Sequence, residues 1–177
     1  MSVIALVGLP GSGKSTISRQ LGRLLDCPVI DTDAVIEEYL GCSIADYFER
    51  EGEAAFREVE ANTLAEVLRL APAKAADVVL ATGGGMVLRP ENRQLLKEQA
   101  YTVYLHAQPD QLYWRLKNDR SRPLLRNTDL SAKLHHLYAQ RHPLYTQVAA
   151  QTLGASEQSP QGVAEQILAG LGKPCAG

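Results

Sequence analysis

The chain has 177 residues, 45% of them apolar and 21% charged, with 18 basic against 20 acidic side chains for a formal net charge of −2. That length suits one domain with a sizeable core, and the composition excludes disorder as the default. The near-balanced charge gives no global pull toward nucleic acid or an anionic membrane, no apolar run spans a bilayer and no secretory signal opens the chain, so the expectation is a cytoplasmic protein without such partners.

In chain order, the first of five apolar runs, all expected as strands buried on both faces and the fifth more weakly so, is VIALVG (residues 3–8). Gly8, Gly13, Lys14 and Ser15 follow in the GxxxxGKS spacing of a P-loop, and Ile17, Leu21, Leu24 and Leu25 then repeat at helical spacing. Glycines there let backbone N–H groups curl around phosphate oxygens, and the helix N-terminus adds its positive end. Lys14 reaches the β and γ phosphates and the Ser15 hydroxyl ligates Mg²⁺. A nucleoside triphosphate is the expected ligand. The bland alternative is a turn that binds nothing, and the motif alone does not separate kinases from GTPases, motors or sensors.

The second run, PVID (28–31), leads into Asp31, Thr32 and Asp33 at the carboxyl edge, where ligands collect in open α/β sheets. Two carboxylates one residue apart can face different ligands, Asp31 the Mg²⁺ and Asp33 a hydroxylated acceptor. Equally, an Asp ahead of AVIEEYL reads as a helix cap. Residues 41–53 are irregular and expected as a mobile loop. Phe56, Val59, Thr63, Val67 and Leu70 then form a helical stripe, with an isolated Arg57 at its front. The third run, DVVLAT (77–82), ends at Gly83, Gly84 and Gly85, which either bring backbone N–H groups to a ligand or make a plain flexible turn.

Pro90 and Pro109 stand at helix starts on either side of YTVYLH (101–106), the fourth strand. Next, RLKNDRSRPLLR sets Arg115, Lys117, Arg120, Arg122 and Arg126 against the single acid Asp119. Such a loop is a solvated surface by default. Beside a triphosphate, an arginine closing over the transferring phosphate contributes on the order of 10³-fold or more, and Arg122 is the expected one. Arg141 in RHPLY is another isolated arginine, and guanidinium matches a carboxylate bidentately. A fifth, less apolar run, AQTLGA (150–155), precedes a stripe of Val163, Ile167, Leu168 and Leu171. Residues 118–130 are expected as a second mobile loop and the GKPCAG tail is expected to fray.

Strands separated by crossover helices require a parallel sheet with helices on both faces. With no linker or repeat, residues 1–177 read as one α/β domain. Cys27, Cys42 and Cys175 lack ligand spacing and are expected as buried free thiols. His106, His135, His136 and His142 are expected as surface or satisfied groups, and Trp114 and Tyr138 as helix packing.

Taken together, GLPGSGKST, DTD, the FRE of residues 56–58, ATGGG, RPLL at 122–125 and RHPLY resemble the motifs of shikimate kinases in order and rough spacing, from residue 3 to about 170. The resemblance implies a three-layer sandwich on a five-stranded parallel sheet of order 2-3-1-4-5, a P-loop kinase of the nucleoside monophosphate kinase type. It also implies a lid at about residues 115–130, a shikimate-binding region at about 33–61, and a monomer. The implied reaction is ATP-dependent phosphorylation of the 3-hydroxyl of shikimate, giving shikimate 3-phosphate and ADP on the way to chorismate and aromatic amino acids.

Carried over residue by residue, Gly11, Ser12, Gly13, Lys14, Ser15 and Thr16 hold ATP, Ser15 ligates Mg²⁺ and Asp31 supports it. Asp33 contacts the ring hydroxyls and orients or deprotonates the attacking one. Arg57 and Arg141 bind the shikimate carboxylate, and Gly84, between Gly83 and Gly85, offers its N–H. Arg122 is the lid arginine reaching the transferring phosphate. Arg115 and Pro160 resemble the residues that sandwich adenine, and Gln158 an ATP contact. The third strand lacks an Asp at its carboxyl end, an absence that the resembled family shares. The rival readings are another kinase of a hydroxylated carboxylate, such as gluconate, and an inactive sensor of ATP or shikimate.

Overall fold

In the computed structural model, residues 2–71, 76–117, 129–154 and 158–173 are described. Strand β1 (Val3–Val7) is wholly aliphatic and buried along its length, as a strand covered on both faces must be. Helix α1 (Lys14–Leu25) returns over the sheet to β2 (Val29–Asp31), and α2 (Thr32–Leu40), α3 (Ile44–Glu51) and α4 (Glu53–Leu70) lead to β3 (Val78–Ala81). A 3-10 turn at Met86–Leu88 and α5 (Pro90–Gln99) precede β4 (Tyr101–His106). Then come α6 (Pro109–Leu116), α7 (Leu130–Val148), β5 (Gln151–Gly154) and α8 (Pro160–Gly170).

All strand pairs are parallel and the order is β2-β3-β1-β4-β5. Alternation along β1 sends Ile4 and Leu6 to one face and Val3, Ala5 and Val7 to the other. On the first face Ile17 and Leu21 of α1 pack with Val163, Ile167 and Leu168 of α8. On the second, Leu64 and Leu68 of α4, Leu96 of α5, and Leu134 and Tyr145 of α7 close the core. The result is three layers, as expected. Pro90 and Pro109 open α5 and α6, as expected from the absent N–H. Among the described residues no helix is long and apolar enough to cross a membrane.

Five local expectations are corrected. Strands β2 and β5 are not buried on both faces, because each lies at a sheet edge with one neighbour. Residues 41–53 are not a loop: the Ser43 hydroxyl accepts from Asp46 N at 3.1 Å to cap α3, whose Phe48 packs on Phe56 of α4. The buried face of α4 is Phe56, Arg57, Glu60, Leu64, Val67 and Leu68, while Leu70 is 47% exposed. The face turns from the apolar stripe because it holds a charged pair. Cys27 and Cys42 are half-buried, and Trp114 is 68% exposed beneath the Lys117 ammonium, 4.4 Å from its ring. Cys175 and residues 118–128, with most of the expected lid, lie outside the described residues.

Leu21 has no exposed surface between α1, α8 and the sheet. Leu21→Ala is expected to lower unfolding stability by about 2–5 kcal/mol, read from urea titration by circular dichroism. A loss under about 1 kcal/mol would place α1 outside the cooperative core.

Candidate active site

The loop from Gly8 to Ser15 takes its shape from glycine. Gly11 and Gly13 adopt φ of 80° and 95°, values that side-chain-bearing residues avoid. Gly13 caps α1 with no side chain of its own, so the first-turn N–H groups face the loop interior as an anion site. The Lys14 ammonium donates to the Gly8 carbonyl at 2.7 Å and the Leu9 carbonyl at 3.0 Å, bridging the loop. Leu116 of α6 packs under Gly11, and Arg115 Nη1 donates to the Gly11 carbonyl at 2.8 Å.

Beyond this loop a cavity of about 250 Å³ opens at the carboxyl ends of the strands. Its wall brings together Gly11, Gly13, Lys14, Ser15, Thr16, Asp31, Asp33, Gly83 and Gly84, from three separate stretches of sequence. Ser12 is buried, with its hydroxyl turned toward Gly8. Gln158 and Pro160 are exposed at the start of α8, where Gln158 bonds Gln166, and neither lines the cavity. Arg122 lies outside the described residues.

The helix-cap reading holds for Asp31. Its Oδ1 accepts from Asp33 N at 2.9 Å and Ala34 N at 3.3 Å, capping α2, while the carboxylate faces the cavity. No group of three or more His, Cys, Asp or Glu side chains that could hold a metal occurs among the described residues. The Ser15 hydroxyl and Asp31 carboxylate instead offer hard oxygens beside Lys14. That set fits a Mg²⁺ carried on phosphates, which keeps several waters and takes one or two protein oxygens.

The three glycines after β3 are closely approached by side chains, most tightly at Gly85 and least at Gly84. A Cβ on Gly83 would stand 2.7 Å from Asp33 Oδ1 and 3.2 Å from Glu60 Oε2, and one on Gly84 3.3 Å from Arg141 Nη1. On Gly85 it would collide with the Arg57 guanidinium. Nor is this a plain flexible turn. Gly83 N donates to the buried Thr32 hydroxyl at 3.2 Å, Gly83 O accepts Met86 N, Gly85 O accepts Leu88 N, and Tyr145 donates to Gly84 O at 2.6 Å.

Arg57 is therefore not isolated. It is 8% exposed, donating Nη1 to Glu60 Oε1 at 2.9 Å and Nη2 to Glu53 Oε1 at 3.2 Å. Arg141, 3% exposed, lies close enough to Glu60 to stabilise its charge, and the Nε atoms of both arginines are buried without a partner among the described residues. Burial pushes the Glu60 carboxyl up, opposed mainly by Arg57, with Asp33 adding repulsion. Glu60 and Tyr145 are the residues that sequence reasoning missed. The signals were present: Glu60 is three residues after Arg57 and Tyr145 four after Arg141, one helical turn in each case. The histidines are satisfied or exposed, as expected: His106 Nε2 pairs with the Tyr138 hydroxyl at 2.8 Å and His142 Nδ1 with that of Tyr104 at 2.9 Å.

The family model for shikimate kinase matches residues 10–171. The chain is 47% identical to the shikimate kinase of Paracidovorax citrulli, over 82% of this chain and 78% of that one. It is 44% identical to the shikimate kinase of Burkholderia pseudomallei, over 93% and 87%. A solved shikimate kinase from Acinetobacter baumannii in complex with shikimate matches with a TM-score of 0.88 at 37% identity, covering 95% of this chain and 91% of that one.

Glu60→Ala leaves buried guanidinium charge uncompensated and is expected to cost about 3–5 kcal/mol of stability at neutral pH. Because the native carboxyl stands above its ordinary 4.5, the folded state holds that proton longer than the unfolded chain. Its contribution to stability therefore falls as pH rises from that value through the native pKa. Urea titrations between about pH 4 and pH 7 should show this decline in the wild type and not in Glu60→Gln. The same slope in both would assign it to another group.

Proposed function

The chain belongs to the shikimate kinase family and transfers a phosphoryl group from ATP to shikimate; we propose that the residues around its cavity divide that work as follows. The observation that carries the assignment is the convergence of two buried guanidiniums, Arg57 and Arg141, on the glycine loop that borders the cavity opposite Lys14.

On the acceptor side, Arg57 and Arg141 take the shikimate carboxylate. Each retains an unpartnered buried Nε, and a charge-assisted pair with a carboxylate suits the fork geometry of guanidinium. Gly84 offers its backbone N–H, with Gly83 and Gly85 on either side keeping the approach open. Asp33, on the cavity wall beside Gly83, meets the ring hydroxyls and directs the 3-hydroxyl at the γ-phosphate.

On the donor side, residues Gly11 to Thr16 surround the phosphates, and Lys14 exchanges its carbonyl partners for the β and γ oxygens. Ser15 and Asp31 would hold Mg²⁺, which supplies charge neutralisation across those phosphates. Arg122 closes over the transferring group, and Arg115, Gln158 and Pro160 border the adenine. Because phosphoryl transfer passes through a loose transition state, Asp33 acts more by orienting the hydroxyl than as a strong base. The product, shikimate 3-phosphate, is destined for chorismate and the aromatic amino acids. The same reading makes the protein a cytoplasmic monomer acting on small molecules rather than on nucleic acid or membranes.

The test is ADP release with Mg·ATP and, in turn, shikimate, gluconate or a nucleoside monophosphate. Turnover is expected with shikimate alone. Release with gluconate in its place would reassign the acceptor, and release with none would make the protein a sensor. Arg57→Ala and Arg141→Ala are each expected to raise the shikimate KM about 10- to 100-fold with the ATP KM little changed. Asp33→Asn should lower kcat about 10²- to 10⁴-fold with the fold intact by circular dichroism. Arg122→Ala should lower kcat more than it raises the shikimate KM, and the reverse would remove it from the lid role.

A further inference from the structure

Arg141 and Tyr145 are four residues apart on α7, so they lie one turn apart on the same face, and both are buried, at 3% and 0% exposure. The Tyr145 hydroxyl donates to the Gly84 carbonyl at 2.6 Å. The same hydroxyl is close enough to the Arg141 guanidinium for that charge to oppose the effect of burial on its acidity.

The Gly84–Gly85 peptide has no Cβ at either end and is intrinsically among the freest in the chain to rotate. The turns that follow β3 restrain its neighbours: Met86 N bonds Gly83 O at 3.1 Å and Leu88 N bonds Gly85 O at 3.0 Å. These turns pass over the Gly84 carbonyl, and Tyr145 takes it instead. The Tyr145 ring is itself fixed in the core against Tyr104, with centroids 5.0 Å apart. Burial pushes the Tyr145 hydroxyl up to about 12, so it remains a donor at neutral pH.

We infer that Tyr145 is a positioning residue for the acceptor: by holding the Gly84 carbonyl it fixes the Gly84–Gly85 peptide and so limits the rotation of the backbone at Gly84, whose own N–H lies in the preceding peptide, beside the Arg141 guanidinium before shikimate arrives. The inference rests on the reading of Gly84 and Arg141 as acceptor contacts. Tyr145 touches no reacting atom. Its hydroxyl contributes to the ground and transition states alike, which places its effect in KM rather than kcat.

Tyr104 supplies the control. Its hydroxyl bonds His142 in the same aromatic cluster and makes no contact with the glycine loop. The experiment is steady-state kinetics on the full chain with shikimate and ATP varied separately, for wild type, Tyr145→Phe and Tyr104→Phe, with thermal unfolding of each. Tyr145→Phe is expected to raise the shikimate KM about five- to twentyfold, leaving kcat and the ATP KM within about twofold. Tyr104→Phe is expected to lower the melting temperature and leave the shikimate KM within about twofold. An unchanged shikimate KM in Tyr145→Phe overturns the inference, as does an equal rise in Tyr104→Phe, which would make both hydroxyls merely structural. Absence of ADP release by the wild type with shikimate overturns the acceptor reading and this inference together. Normal wild-type turnover with an unaffected Tyr145→Phe overturns the inference alone.

Discussion

The Arg57–Glu60 pair, 2.9 Å apart and almost fully buried, is the interaction on which the acceptor side of the molecule depends. A guanidinium and a carboxylate lose most of their hydration when buried, and only close pairing with further hydrogen bonds offsets that cost. Arg57 finds Glu60 and Glu53 on its own helix, which is why α4 turns a charged face toward the loop after β3. Arg141 arrives from α7 beside the same Glu60. Glu60, Glu53 and Asp33 together balance the charge of the two guanidiniums, so both cations are held buried and oriented against the glycine loop that borders the cavity.

The glycines follow from that charge. Four ionisable side chains approach the backbone of residues 83–85, and any Cβ there would enter the space of an oxygen or a guanidinium nitrogen. The resulting loop lacks side chains to fix it, so its restraint comes from outside: Thr32 from the start of α2, the turn into Met86–Leu88, and Tyr145 from α7. Preorganisation of the glycine loop is thus shared between the turn that directly follows it and two helices distant in sequence, α2 and α7.

This explains which parts were legible. The P-loop could be read because its chemistry is contained in eight consecutive residues flanked by a buried strand and an amphipathic helix. Strand order came from resemblance, since apolar runs alone show a parallel sheet without its arrangement. Helix α3 was missed because its own face buries nothing fully, although the Ser43 cap and the amphipathic spacing of Ile44, Tyr47 and Phe48 both mark it. Arg57 looked isolated because Glu60, one turn away, reads in sequence as an ordinary solvated charge. Periodicity placed Val59, Thr63 and Leu70 on the buried stripe of α4, where the charged pair rotates the face toward Arg57 and Glu60. Hydrophobic pattern assumes that a buried face is apolar, and here the exception is the site itself.

The missing aspartate at the end of β3 has a structural reason in the same geometry. Thr82 occupies that edge with its hydroxyl donating to Leu6 O at 2.8 Å, tying β3 to β1, and the residues beyond it form the glycine loop. Gly84 lies against Pro10 and the Gly8 carbonyl, the carbonyl that also accepts from Lys14. The end of β3 is therefore committed to the contact between the P-loop and the glycine loop. Strand β2 does bring a carboxylate to the cavity: Asp31 ends that strand, caps α2 and lines the cavity with Ser15. Two residues later Asp33 stands against Gly83, so one short segment brings two carboxylates to the cavity wall.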